Sequence, residues 1–288
     1  MDRYKYSINT NIIKDWNAED LVKLASRIGL DGIEWGLPRE GTKEAIKEMK
    51  QLTLGHGLEV AGYINGGKVF KKGELMRWAT IVAGVGGKTL RVAHPWIAFN
   101  LKESIHQQKT YQEIHDLACQ GMEYCMALGE QFGIKFLLEM HGGSLTASSW
   151  GARSVIKKFD SRYVGVIYDA ANGMAEGHTR PRNVVEILGE YLAFVHAKNL
   201  IWFEERQLTD PVVRKEWKFD VVPLDQGIID WVEVFFALNC VNYSGWISME
   251  EFFKNNTEDE LRKGLAFLKE CAEKAPKNPE EPWTTFND

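Results

Sequence analysis

The stretch VGVIYDAANG, residues 164–173, decides the reading of the chain. It opens with an apolar run rich in β-branched side chains, as a buried strand does, and the run stops at a carboxylate, Asp169. The same arrangement recurs on both sides. KFLLEMHGG (135–143) carries Glu139, FVHAKN (194–199) carries His196 and GWISMEEF (245–252) carries Glu250. Four successive strand candidates therefore end in a group able to bind a cation.

Outward from these segments, short apolar runs alternate with longer amphipathic ones. Strands are predicted over 3–9, 31–36, 58–65, 88–94, 134–141, 164–169, 191–198 and 243–250. Helices are predicted over 18–28, 43–56, 73–85, 107–132, 149–159, 183–188, 228–238 and 257–274, the first capped by Asn17. Eight strands, each followed by a helix, is the count of a single (β/α)8 TIM barrel. A chain of 288 residues suits that fold, which typically uses about 250. Gly29, Gly57, Gly86 and Gly133 fall where helices need a left-handed residue to stop. A doubly wound open sheet is the rival, but it usually needs fewer strands and the glycine fingerprint of dinucleotide binding is missing.

The barrel is expected to fill residues 1–275. Residues 276–288 form an extension with three prolines plus Trp283 and Phe286, expected to dock on the barrel or on a neighbouring subunit. The connection 199–226 exceeds the usual two to six residues on the side where barrel active sites lie. Trp202, Phe203, Arg206, Trp217 and Phe219 suit it to a lid, a substrate wall or a homo-oligomer contact.

Composition narrows the function classes. A net charge of -5 argues against a nucleic-acid partner, which needs Lys and Arg to meet phosphates. No run approaches 18 uninterrupted apolar residues, so no membrane span is expected, and the cytoplasm is the expected compartment. Cys119, Cys125, Cys240 and Cys271 match no zinc spacing and read as reduced, mostly helical side chains.

Strand parity selects the inward groups, because alternate residues face opposite sides. On strand eight, Ile247 and Met249 suit the layer beneath the helices, which leaves Ser248 and Glu250 inward and makes Glu251 the poorer ligand. On strand five Glu139 and His141 share the inward side, and on strand seven His196 and Lys198 do. Singly, each group has a plain structural use: a helix cap for Asp169, or pairing with Lys135 or Lys198 for the glutamates. Jointly they do not, because three carboxylates inside a barrel do not stay ionised together without a cation. Three carboxylates and an imidazole form an oxygen-rich donor set, suited to one divalent metal ion: Mn2+ first, with Mg2+, Co2+ or Zn2+ also compatible.

At these residues the sequence resembles the xylose-isomerase-like barrel superfamily of sugar isomerases and epimerases. DGIEWG (31–36), EMHGGS (139–144), YDAANG (168–173), HAKN (196–199), GIIDW (227–231) and WISMEEF (246–252) carry the resemblance across nearly the whole chain. It implies a metal on Glu139, Asp169, His196 and Glu250, with Glu139 and Glu250 as acid and base in the epimerase branch. One departure matters. Keto-sugar epimerases commonly place His three positions after the strand-six Asp, where this chain has Asn172, so other sugar or polyol branches stay open.

The expected activity is an enediolate-forming isomerase or epimerase of a small keto-sugar or polyol derivative. A dehydratase or lyase of a related sugar or inosose is the alternative, and a non-catalytic sugar-binding barrel the third reading. His141, Lys198, Glu34, His94 and Asn172 are the candidate substrate-binding residues.

Overall fold

The computed structural model describes residues 3–12, 16–38, 40–93, 109–209, 212–250 and 257–277, with backbone alone over 206–216. Strands β1 (Lys5–Asn9), β2 (Gly32–Gly36), β3 (Glu59–Ile64), β4 (Thr89–Arg91), β5 (Lys135–Glu139), β6 (Val164–Asp169) and β7 (Leu192–Ala197) pair in parallel, each with the next. Two further strands, β8 (Asn199–Thr209) and β9 (Val212–Val222), stand apart, and β10 (Trp246–Met249) closes the barrel between β7 and β1. The fold is a single (β/α)8 barrel, as the strand count predicted.

Around it run α1 (Ala18–Ile28), α2 (Lys43–Gly55), α3 (Lys72–Gly84), α4 (Tyr111–Phe132), α5 (Ser149–Ile156), α6 (Ala170–Glu176), α7 (Pro181–Leu188), α8 (Trp231–Cys240) and α9 (Glu258–Lys274). Local chemistry sets their ends. Asn17 accepts the Asp20 amide at the start of α1, and Gly29 stops it at φ 85°. Thr110 and Glu113 form a reciprocal capping box at α4, which begins four residues after its predicted start at 107.

Alternation along the strands makes two apolar layers. Ile8, Ile33, Phe136, Leu138, Val166, Val195, Ile247 and Met249 face outward beneath the helices. Ala61, Leu137, Ile167 and Phe194 face inward, with Trp246 packed against them, and plug the barrel. The next inward residue toward the C-terminal strand ends is Glu139 above Leu137, Asp169 above Ile167, His196 above Phe194 and Ser248 above Trp246. The same two-residue period that fills the core therefore lines up the polar groups.

Two features depart from the predicted layout. Residues 199–222, expected as a loop, form an antiparallel ribbon in which Trp202 faces Phe219 and Glu204 faces Trp217. Backbone pairing between the two arms satisfies groups that an irregular loop would leave to water. Helix α6 follows Asp169 directly and was not predicted; AANG reads as a turn until Asp169 caps it. In the C-terminal extension the carbonyl of Pro276 accepts a 2.8 Å hydrogen bond from Asn239 Nδ2. Residues 278–288, and with them the expected docking of Trp283 and Phe286, lie outside the described residues.

Candidate metal centre

Glu139 and Asp169 end β5 and β6, His196 is the penultimate residue of β7, and Glu250 follows β10, its amide donating to the Ala197 carbonyl at 2.8 Å. Register fixes their level: Asp169 pairs with His196, and His196 with Ser248. One donor atom from each of Glu139, Asp169, His196 and Glu250 lies within 4.8 Å of the others, and all four side chains are buried. That clustering is the geometry a single cation needs.

The surroundings hold each group in place. His196 Nδ1 is 3.0 Å from Glu139 Oε1 and 3.4 Å from Glu250 Oε2. Glu250 Oε1 accepts from Asn9 Nδ2 at 2.9 Å, and its Oε2 accepts from Lys198 Nζ at 2.9 Å. Glu139 Oε2 forms an ion pair with Arg91. Asp169 does two jobs: Oδ1 caps α6 by accepting the Asn172 amide at 2.9 Å, while Oδ2 meets Lys198 Nζ at 2.7 Å and Asn172 Nδ2 at 2.7 Å. Thus the plain helix-cap reading of Asp169 holds through Oδ1, while Oδ2 faces the cluster.

Charge favours a divalent ion. Among the described residues, the carboxyl groups of Glu34, Glu139, Asp169 and Glu250 face only Arg91 and Lys198 as permanent cations, so the cluster keeps a formal excess of two negative charges when His196 is neutral. Buried charge of that size needs compensation, and one divalent ion would supply it. Without the ion the protein compensates with protons. Burial works against a charged His196, yet Glu34, Glu250 and Glu139 outweigh it and hold its pKa well above the usual 6.5. Burial, with help from Glu250 and Glu139 and against Lys198, raises that of Asp169. Burial also opposes ionisation of Glu250, but Lys198 and His196 prevail and bring it down to about 2. Arg91 does the same for Glu139, holding it well below the carboxylate range.

The remaining predicted residues divide by position. Lys198 is buried at the centre, bridging Asp169 and Glu250. His141, half-buried, donates through Nδ1 to the Gly142 carbonyl at 2.9 Å and lies close enough to lower the Glu139 pKa. Asn172 is engaged by Asp169. Glu34, a candidate for substrate binding, has Oε1 3.1 Å from His196 Nε2 and accepts through Oε2 from Ser248 Oγ at 2.8 Å. His94 and Glu251 lie outside the described residues.

Two members of the cluster went unrecognised in the sequence, Asn9 and Arg91. Both had a legible signal: Asn9 is the last residue of its predicted strand, and Arg91 is an inward-parity cation between the outward Leu90 and Val92. Glu139 was set against Lys135 as a partner, but Lys135 stands four residues down the strand and Arg91 is the cation that reaches it.

Elsewhere, a cavity of about 340 Å3 opens between α5, α6, α7 and α8, lined by residues including Tyr168, Arg180 and Glu233. None of the cluster ligands lines it, and Arg180 is neutralised by Glu233 at 3.3 Å. No helix among the described residues is long and apolar enough to cross a membrane.

Fold and site together define a (β/α)8 barrel with a carboxylate–imidazole cluster at the C-terminal ends of its strands. The chain belongs to the xylose isomerase-like TIM barrel family, whose model matches residues 22–271. Inosose dehydratase from Geobacillus kaustophilus (strain HTA426) is 25% identical over 158 residues, which covers 50% of this chain and 49%, about half, of that enzyme. Two epimerase structures superpose over most of their length. The apo 3-keto-D-glucoside 4-epimerase from E. coli gives a TM-score of 0.71 at 17% identity, covering 93% of this chain and 100% of its own. D-psicose 3-epimerase from Clostridium cellulolyticum H10, solved with D-tagatose, gives 0.73 at 15% identity, covering 93% and 99%. The probable 3-DHS dehydratase from Bacillus anthracis gives 0.68 at 17% identity, covering 92% and 98%. At these identities the structural likeness is one of fold, and it embraces epimerases and a dehydratase alike.

Proposed function

We propose that this chain is a divalent-metal-dependent isomerase or epimerase of a small keto-sugar or polyol derivative. The observation that carries the reading is the buried set of Glu139, Asp169, His196 and Glu250, whose donor atoms lie within 4.8 Å of one another. Its oxygen-rich chemistry suits Mn2+ best. A divalent ion held there supplies Lewis-acid polarisation of a substrate carbonyl.

The protein's own groups supply the rest. Glu139 and Glu250, on strand ends separated by β6 and β7, approach a substrate from two sides, one to remove the proton next to the carbonyl and the other to return it. Glu250 Oε2 is turned to His196 and Lys198, so Oε1, steadied by the neutral Asn9, is the oxygen that handles the proton. The Lys198 ammonium offsets the negative charge that develops on the substrate oxygens as the proton leaves. Burial of the cluster keeps these interactions out of water, where they are strongest.

A dehydratase is the second reading, and the inosose dehydratase match favours it. Proton removal is the same; His141, two residues after Glu139 on the same face, would then protonate a departing hydroxyl. Turnover of a panel of keto-sugars and inososes in heavy water separates the two. Deuterium on the α-carbon or its isomerised neighbour, at unchanged molecular composition, is the expected result. A product lighter by one water would overturn the isomerase reading and make His141 the acid.

A further inference from the structure

We infer that Glu34 is a positioning residue that decides which nitrogen of His196 faces the metal; the inference rests on the metal reading above. A neutral imidazole carries one proton, so one nitrogen donates and the other offers a lone pair. The two nitrogens of His196 have different surroundings. Nδ1 looks into the ligand cluster, 3.0 Å from Glu139 Oε1 and 3.4 Å from Glu250 Oε2. Nε2 looks the other way, 3.1 Å from Glu34 Oε1.

Glu34 stands outside the four-ligand set, 2% exposed, and a carboxylate can only accept. It therefore keeps the proton on Nε2 and leaves the Nδ1 lone pair for the ion. Its own aim is fixed twice. Ser248 Oγ donates to Oε2 at 2.8 Å, and the register of β2 on β3 slips between Ile33 and Glu34, a bulge of the kind that redirects a side chain. Phe194 completes the clamp, edge-on to the imidazole with ring centres 5.8 Å apart. Carboxylates placed behind a metal-binding histidine fix its tautomer and orientation, and their loss typically weakens metal binding 10–100-fold.

The test uses the full chain stripped of metal with a chelator, titrated with Mn2+, alongside 15N-histidine NMR of the Zn2+-loaded protein. In the wild type His196 should show a protonated Nε2 and a metal-bound Nδ1. Glu34→Ala should bind Mn2+ roughly 10–100-fold more weakly and lose the slowly exchanging Nε2 proton. Glu34→Gln, which keeps an acceptor at the same place, should recover most of the affinity and the Nε2–H signal. Ser248→Ala is the mild variant, removing only the donor to Oε2; it should weaken Mn2+ binding by less and speed exchange of that proton. Unchanged Mn2+ affinity and an unchanged His196 nitrogen pattern in Glu34→Ala, or unchanged affinity and Nε2–H exchange in Ser248→Ala should Glu34→Ala not fold, would overturn the role of Glu34 while leaving the metal centre standing. Wild-type protein that takes up no Mn2+ or Zn2+ would overturn the metal reading, and this role with it.

Discussion

Lys198 Nζ lies 2.7 Å from Asp169 Oδ2 and 2.9 Å from Glu250 Oε2. Lys198 and His196 share the inward side of the β7 segment, so the strand that brings His196 to the cluster also brings a permanent cation against two of its carboxylates. Removing one partner of a buried ionic set typically costs about 3–5 kcal/mol because the remaining charge is left uncompensated. Lys198→Met is therefore expected to destabilise the metal-free protein by an amount of that order, with part of the loss recovered when Mn2+ is added. Urea unfolding with and without metal measures it; a variant as stable as wild type in both conditions would contradict this view of the cluster.

Metal content checks the ligand set directly. Protein purified without chelator should carry close to one divalent ion per chain by elemental analysis, and His196→Ala should carry far less. Equal content in the two proteins would place the metal elsewhere.

Glu250→Gln preserves shape and the contact with Asn9 but removes the charge and the proton acceptor. Turnover should fall by about 10²–10⁴-fold, with the circular dichroism spectrum unchanged. The sequence reading makes Glu251 the poorer ligand, so Glu251→Gln should leave turnover near wild type. A reversed pair of results would mean that the metal and the chemistry use the neighbouring carboxylate.

The pH dependence has a defined sign. In the metal-free protein His196 has a raised pKa, so its stabilising contribution is complete below about 6.5 and fades as pH climbs through the raised value. Glu250 is depressed from 4.5 to about 2, so its contribution is present above 4.5 and lost as pH falls toward 2. Because metal must displace the proton from His196, binding at neutral pH should release a proton and tighten as pH rises. Calorimetry in buffers of different ionisation enthalpy reads that proton. Buffer-independent heats would show that His196 is already neutral in the metal-free protein.

Asn199 ties the ribbon to the barrel mouth. Its Nδ2 donates to the Leu224 carbonyl at 2.7 Å, and its Oδ1 accepts the Ile229 amide at 2.9 Å. A Cβ on Gly227 would stand 2.0 Å from that Oδ1, so the clamp needs glycine there. Gly227→Ala should lower the unfolding midpoint, most simply read by thermal denaturation, whereas Gly73→Ala, where a Cβ meets nothing within 4 Å, should leave it unchanged or raise it.

The sequence by itself determined the barrel and singled out the four residues that the fold brings together. Both depend on short-range periodicity: apolar runs of strand length, and the alternation that puts Leu137 and Glu139, or Phe194 and His196, on one face. Helix limits such as Asn17 and Gly29 were legible for the same reason, since caps are decided within a few residues. Only the tertiary structure decided which groups answer one another. Arg91 and Glu139 are 48 positions apart, Asn9 and Glu250 241 apart, and Glu34 and His196 162 apart, and nothing local to either member of a pair records its partner. The ribbon was hidden likewise, because cross-strand pairing such as Trp202 with Phe219 leaves no periodic trace separable from an apolar loop. Strand alternation says which side chains enter a barrel; closure of the sheet, which sets neighbours across β1 and β10, says whom they meet.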